Sequence, residues 1–529
     1  MSQELDYHSS RVAAGRLSRR EFLGRATALG VSAALASSLF ADAAKAQTPR
    51  KGGLLKAGVS GGASTDSLDP ASFPATVPIL LGKCWGELLM EMTPDGGIEY
   101  RIAEQIDSSK DAKTWTMKIR KGIHFHNGKE VTAQDVVETL ERHSDEKSKS
   151  AALGLMKGIE SLKADGSEVV VTLKEPNVDL PYLLTDYHLV IQPNGGKDNP
   201  AAGIGAGPYK VTVNEPGVRH GGEKFKDYWQ GDKLGHADQV EIVVINDATA
   251  RIAALQSNQV HIINDLGPKV VDLLKHIPGV TIQNAPGRGY SYFNMFCDTA
   301  PFDNNDLRMA LKLAMDREEM LNKILRGYGT LGNDFPINPS YQLFPEDIEQ
   351  RTFDPDKAKF HYKKSGHSGP ILLRTSEAAF PGAVDAAQLY QQSCAKGGIA
   401  VEVKREPSDG YWSEVWLKQP FSTGAWNGRP TQDQIYSTAY LSTAAWNDTH
   451  FFNKKFDKLL IQARAEFDQG KRKDLYREMA VIVRDEGGTI APTFYQYIDA
   501  TGPGVKGFVK SSMRELGNDY ALVHCWLEA

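Results

Sequence analysis

Three short stretches of this sequence bring together side chains able to do chemistry. Gly58-Val59-Ser60-Gly61-Gly62 has the G-x-S-x-G form of a nucleophilic-serine elbow. Such an elbow needs a buried strand before it and an apolar helix after it. The residues that follow, Ala63-Ser64-Thr65-Asp66-Ser67-Leu68-Asp69-Pro70, read instead as a loop. The glycines then serve a tight turn at a strand end, and a serine hydrolase acting through Ser60 is the enzymatic alternative. His124-Phe125-His126 places two imidazoles on one side of an extended segment, a possible start for a metal or metal-chelate site. No third ligand stands at a meaningful spacing, so structural histidines are the plainer reading. H-E-x-x-H, a phosphate-cradling loop and a dinucleotide glycine fingerprint are all missing from the sequence. No catalytic constellation and no cofactor emerge.

The third stretch is aromatic. Four of the eight tryptophans, Trp412, Trp416, Trp426 and Trp446, fall close together with Tyr411, Tyr436 and Tyr440. Among them lies Trp426-Asn427-Gly428-Arg429-Pro430-Thr431-Gln432-Asp433. Binding clefts orient small polar solutes with aromatic walls and a few placed charges. Arg429 can fork onto a carboxylate and Asp433 can hold an amine. A structural ion pair within the loop competes with this reading, and Trp412 and Trp416, one helical turn apart, fit core packing better.

The elements that must position these residues follow from periodicity. Trp115, Met117 and Ile119 alternate with polar neighbours, as in a half-buried strand, while Val169–Leu173 and Val240–Ile245 read as more deeply buried strands. Thr132-Ala133-Gln134-Asp135 has the form of a capping box before a helix. Asp303 is placed to cap a helix carrying Leu307, Ala310, Leu311, Ala314 and Met315. Phe456, Leu459, Leu460 and Ala463 repeat that spacing, as do Leu475, Met479, Ile482 and Val483. Thr493 to Ile498 returns to strand, with Thr493, Tyr495 and Tyr497 on one face. Strands and helices alternating throughout predict an α/β fold. Pro286-Gly287-Arg288-Gly289 marks a break where the chain leaves one unit for the next, and the late strand marks its return.

Composition narrows the partners. The 529 residues are 41% hydrophobic and 24% charged, with a net charge of −5, and residues 1–46 contribute six Lys/Arg against four Asp/Glu, so the rest carries −7. That acidic body gives no reason to expect nucleic acid. Ser18-Arg19-Arg20-Glu21-Phe22-Leu23, an apolar run from about Ala26 to Phe40 and Ala44-Lys45-Ala46 before Gln47 read as a twin-arginine signal over residues 1–46. A membrane anchor is the alternative, but the run is short of the ~20 residues a span needs. The four cysteines, Cys84, Cys297, Cys394 and Cys525, are widely spaced and read as small buried hydrophobes, with a single bridge still open.

Taken together, the blocks resemble the solute-binding proteins of peptide/nickel-type ABC importers, the dipeptide- and oligopeptide-binding class. The resemblance rests on Leu68-Asp69-Pro70; Thr114-Trp115-Thr116 through Arg120-Lys121-Gly122-Ile123-His124-Phe125-His126-Asn127-Gly128; Thr132 through Val136; Gly205-Ala206-Gly207-Pro208-Tyr209; Phe225 with Tyr228-Trp229; Ala253 through Gln256; and Pro301-Phe302-Asp303 leading to Arg308, Ala310-Leu311 and Asp316-Arg317. It implies a two-lobed periplasmic-binding fold of type II, with an extra subdomain in lobe 1. Lobe 1 would comprise residues 47–287, lobe 2 residues 288–493, and residues 494–529 would return to lobe 1. The lobes would close on a small polar, zwitterionic solute by a hinge. Its partners would be an inner-membrane ABC permease and, during export, the twin-arginine translocase. A monomer in the periplasm is expected, because one chain supplies both walls. The family's ligand-facing loop follows a tryptophan matching Trp426. Peptide-binding members carry an aspartate shortly after it, where this chain reads Asn-Gly-Arg-Pro-Thr before Gln432-Asp433. Peptides, opines and modified amino acids all remain compatible. The candidate contacts are Trp426, Arg429 and Asp433, with Tyr292, Asn294, Ser64, Thr65 and Tyr495 behind them.

Overall fold

The computed structural model describes residues 19–28, 36 and 49–528, apart from 95, 232 and 409. The paired arginines open the helix Arg19–Ala28, while most of the apolar run to Phe40 and the Ala44-Lys45-Ala46 segment lie outside the described residues. Among the described residues no helix is long and apolar enough to cross a membrane.

Lobe 1 begins with strand β1 (Leu54–Val59), whose Leu55, Ala57 and Val59 are fully buried. Helix α1 (Thr76–Trp85) is buried along its whole length, which its sequence, apolar almost all round, requires. The extra subdomain follows. It contains β2 (Ala103–Ser108), β3 (Thr114–Ile119), α2 (Ala133–Ser144), β4 (Ile159–Asp165) and β5 (Glu168–Leu173). Its antiparallel sheet has the order β2-β3-β5-β4. Trp115, Met117, Ile119, Val169 and Val171 face α2 in a separate core. The capping box forms at the start of α2: the Asp135 N–H donates to Thr132 Oγ1 at 3.2 Å, and the Thr132 N–H donates to Asp135 Oδ2 at 2.9 Å. The chain then adds β6 (Tyr209–Glu215), β7 (Arg219–Lys224), β8 (Gln239–Val244) and β9 (Ile262–Ile263).

The next strand, β10 (Thr281–Met295), carries the chain into lobe 2. There follow α3 (Asn305–Leu313), β11 (Gly329–Leu331), β12 (Ile371–Thr375), α4 (Ala383–Lys396), β13 (Val401–Arg405) and β14 (Phe421–Trp426). Three helices, α5 (Gln432–Ala439), α6 (Lys454–Ala465) and α7 (Gln469–Glu486), precede β15 (Thr489–Thr501). Phe456, Leu459, Leu460, Met479 and Val483 point into one core with Tyr290 and Phe494, as their spacing predicts. The cap of α3 is Asn304 rather than Asp303: its Oδ1 accepts from the N–H groups of Asp306 and Leu307. Both residue types cap well, and only the extended backbone at Asn304 decides between them.

All the large strands join one sheet of order β13-β12-β14-β10-β15-β9-β1-β8-β7-β6, with β11 on β15. The two lobes are the two halves of this sheet, and the long antiparallel pair β10/β15 runs through both. Thr281–Pro286 pair with Gln496–Thr501 on the lobe-1 side, and Tyr290–Asn294 pair with Thr489–Phe494 on the lobe-2 side. The sequence predicts a break at Pro286–Gly289. Instead the strand continues, and the register slips between Pro286 and Tyr290, a bulge that bends paired strands without separating them. The glycines are there for closeness: a Cβ on Gly287 would stand 2.5 Å from the Tyr495 carbonyl oxygen. After β15 the chain returns to the lobe-1 core with Leu516, Tyr520 and Leu522. Gly287→Ala is expected to lower stability to denaturant by about 1–3 kcal/mol through strain at this crossing. Unchanged unfolding would show that the two strands are not in close contact there.

Candidate functional site

The loop after β14 lies where the lobes meet. The Trp426 indole N–H donates to Asp448 Oδ2 at 3.1 Å, and Trp416 donates to the same oxygen at 3.2 Å. This pins the base of the loop. Gly428 passes so close to the crossing strand that a Cβ on it would stand 2.4 Å from Arg288 Cβ. The Arg429 N–H donates to the Tyr341 hydroxyl at 3.1 Å. Its guanidinium sits over the Trp426 ring at 5.6 Å and bonds only to the Asn427 and Gly428 carbonyls of its own loop. Among the described residues it has no carboxylate partner. Tyr495 closes the group, its hydroxyl donating to Asn427 Oδ1 at 3.1 Å.

Beneath the loop lies Arg288, only 1% exposed, which the sequence marks simply as part of a break. Its guanidinium donates to the carbonyls of Pro430 (2.7 Å) and Ser340 (2.6 Å) and stacks on Tyr341 at 4.5 Å. It also reaches Met513 Sδ at 3.0 Å, on the segment that has returned to lobe 1. Arg288 is a positioning residue, holding the Arg429 loop against the crossing.

The lobes are shut along one seam. Asp179, from the extra subdomain, takes a 2.6 Å ion pair from Arg472 on α7, and the two side chains are 2% and 7% exposed. The Val178 N–H donates to the Arg464 carbonyl at 2.9 Å. The Tyr182 hydroxyl donates to Gln342 Oε1, and Gln342 Nε2 donates to the Gly96 carbonyl, both at 2.7 Å. The space between Asp179, Tyr182, Thr431 and Arg472 is about 20 Å³, room for about one water. A cavity of about 440 Å³ lies elsewhere, on lobe 1 beside Lys56, Val243, Ala254 and His261, away from these groups.

Several expected contacts are relocated. Asp433 is buried, and Arg464 Nε donates to its Oδ1 at 2.7 Å, so this carboxylate already holds a cation of its own lobe. Tyr292 and Asn294 are buried on a central strand covered on both faces, with Tyr292 packed directly on Gly424. Neither reaches the cleft. Ser64 and Thr65 are exposed on the turn after β1, and neither side chain has a hydrogen-bond partner among the described residues. Trp412 is 44% exposed rather than core. Ser60 Oγ lies 3.4 Å from Asp265 Oδ2 and 3.5 Å from Asn264 Oδ1, with no imidazole bonded to it. No helix follows Gly62 directly, so the elbow geometry is absent. His126 Nε2 bonds the Gly207 carbonyl at 2.9 Å, and burial pushes its pKa down to about 4. His124 is exposed and stands in an isolated bridge with Glu130. Among the described residues no group of three or more His, Cys, Asp or Glu side chains is arranged to hold a metal. All four cysteines are free thiols, three of them fully buried.

Asp448, Arg288, Asp179 and Arg472 escaped sequence reasoning. Burial pushes the Asp448 carboxyl up to about 6, although the two indoles and Tyr292 favour its charged form. A raised carboxyl stabilises the fold most below its ordinary pKa, near 4, and that contribution is lost as pH rises through 6. The stability of Asp448→Asn relative to the natural protein is therefore expected to rise by about 3 kcal/mol between pH 4 and pH 7, measured by chemical unfolding. A pH-independent difference would mean that Asp448 titrates normally. Asp433→Asn is expected to cost about 3 kcal/mol of lobe-2 stability, because it strands Arg464. Loss of binding at full stability would return Asp433 to the ligand.

Comparisons with known proteins agree with this architecture. Residues 97–448 match the model of the bacterial extracellular solute-binding proteins, family 5. The dipeptide-binding protein of Escherichia coli (strain K12) is 24% identical over 455 residues, 77% of this chain and 83% of that one. Heme-binding protein A of Haemophilus influenzae is 27% identical over 464 residues, covering 78% and 82%. HbpA2 from Haemophilus parasuis superposes with a TM-score of 0.79 at 19% identity, over 90% of this chain and all of that one. AgaA from A. tumefacien R10, solved with agropinic acid, gives 0.74 at 25% identity over 90% and 99%. Because that family's model matches well over half of its length, on a fold its structural neighbours share, the chain belongs to the family 5 bacterial extracellular solute-binding proteins.

Proposed function

We propose that this substrate-binding component of an ABC importer captures a small zwitterionic solute, a peptide, an opine or a modified amino acid, and transforms nothing. One observation carries the reading. The Arg429 guanidinium stands at the lobe junction, its backbone fixed by Tyr341 and its face by Trp426, with no carboxylate of its own among the described residues. A partly desolvated guanidinium without an anion is a binding group for a ligand carboxylate. Trp426 and Tyr495 give that carboxylate an aromatic surround. Relatives named for dipeptide and glutathione, and the neighbour solved with agropinic acid, point to carboxylate-bearing ligands.

The rest of the reading follows from this role. Residues 1–46 act as a twin-arginine signal read by its translocase, with cleavage before Gln47. The mature monomer works in the periplasm, with lobe 1 over residues 47–287, lobe 2 over 288–493 and the return over 494–529. It delivers its solute to an inner-membrane permease complex.

A thermal-shift panel of dipeptides, glutathione, opines, amino acids and sugars tests the proposal. A true ligand at a hundred times its Kd adds about 2.7 kcal/mol of stability. Arg429→Ala is expected to weaken it ten- to a hundredfold, as about 1.5–3 kcal/mol for a charged hydrogen bond requires, and Arg429→Lys to lose less. A sugar that binds tightly, with Arg429→Ala at full affinity, would sink the reading.

A further inference from the structure

The four clustered tryptophans are not all core. We infer that Trp412, Trp416 and Trp446 form an aromatic shelf continuous with Trp426, and that it takes a planar aromatic group of the solute whose carboxylate lies on Arg429. This rests on the Arg429 reading and adds a ring to the substrate class.

Ring contacts make the shelf one surface. Trp416 meets Trp426, Trp412 and Trp446 at centroid distances of 6.3, 5.9 and 5.9 Å, and Trp446 also meets Trp426 at 5.9 Å. The three contacts of Trp416 are edge-to-face, an arrangement that aromatic pairs favour. Burial is graded along the cluster. Trp426 is 6% exposed, Trp416 is half-buried, and Trp412 and Trp446 are 44% and 48% exposed. Trp426 joins the shelf to the site, because the Arg429 guanidinium stands over it at 5.6 Å. One ring therefore separates that guanidinium from Trp446.

The shelf is held from beneath. Asp448 is 3% exposed, and one of its carboxylate oxygens accepts from the indole N–H groups of both Trp416 and Trp426. A buried carboxylate bonded in this way fixes the tilt of two rings at once. The Tyr411 hydroxyl donates to the Thr423 carbonyl at 2.8 Å and anchors the helical turn Tyr411–Glu414, which carries Trp412. Asn447 braces the chain after Trp446: its Oδ1 accepts from the Phe451 N–H at 3.0 Å, and its Nδ2 donates to the Phe451 carbonyl at 2.9 Å. Core packing does not require such fixing of rings whose outer members stay in water. An exposed apolar patch of this kind marks a contact surface.

The chemistry of the surface selects its occupant. Indoles are wide, flat and electron-rich on their faces, so they favour a planar ring over a saturated group of similar size. The guanidinium on the same cluster calls for a carboxylate at the other end. Trp412 and Trp446 stay half exposed although the lobes are shut at the Asp179–Arg472 seam, so the shelf is reached with that seam closed. A dipeptide with an aromatic C-terminal residue carries carboxylate and ring on one residue, as the arrangement asks.

The test compares alanyl-alanine, alanyl-tryptophan and alanyl-cyclohexylalanine by calorimetry on the natural protein, Trp412→Ala, Trp446→Ala and Arg429→Ala. Alanyl-tryptophan is expected to bind about tenfold tighter than either companion. Each tryptophan variant should remove most of that advantage, keep its unfolding midpoint and leave alanyl-alanine unchanged. Merely structural tryptophans would instead lower the midpoint and weaken all three probes alike, which would overturn the inference. Equal affinity for the three probes, with binding still lost in Arg429→Ala, would overturn the shelf alone. Ring-dependent binding that ignores Arg429→Ala would keep the shelf and overturn the Arg429 reading. Failure of every probe to bind would overturn both. A dimer in solution that Trp412→Ala disperses would assign the patch to a second copy of the chain and overturn the inference.

Discussion

The molecule depends on two strands that must approach each other closely while changing lobes. β10 and β15 pair on both sides of a register slip, and the approach tolerates no side chain at Gly287. Arg288 occupies the slip itself. Its guanidinium is buried with no anion beside it among the described residues, an arrangement that survives because carbonyls of lobe 2, a Tyr341 face and Met513 of the returning segment surround it. One side chain thereby fixes the loop after Trp426, the 338–342 loop and the lobe-1 return relative to the crossing. Bending at the slip must displace all three together.

A second constraint acts at the seam. Asp179–Arg472 is a buried ion pair made only when the lobes meet, and Asp433–Arg464 lies beside it within lobe 2. Such pairs recover little beyond their desolvation cost, yet losing one partner is expensive. The seam therefore adds little net stability to the closed form, while it specifies one docking of the subdomain on α6 and α7. The ligand must supply the remaining preference for closure, because only differential affinity shifts a two-state equilibrium.

The sequence made much of the scaffold legible. The alternation at Trp115–Ile119, the capping box at Thr132 and the helical spacing from Phe456 to Ala463 each rest on contacts between near neighbours, and each element stands where periodicity put it. The burial of Asp433 and Tyr292 was not legible, because partners distant in sequence decide it. Arg464 lies 31 residues from Asp433, and Gly424 meets Tyr292 only through strand register. Periodicity carries no information about such partners. Pro286–Gly289 misled for a related reason, since glycines that permit close packing and glycines that end a strand look alike in one dimension.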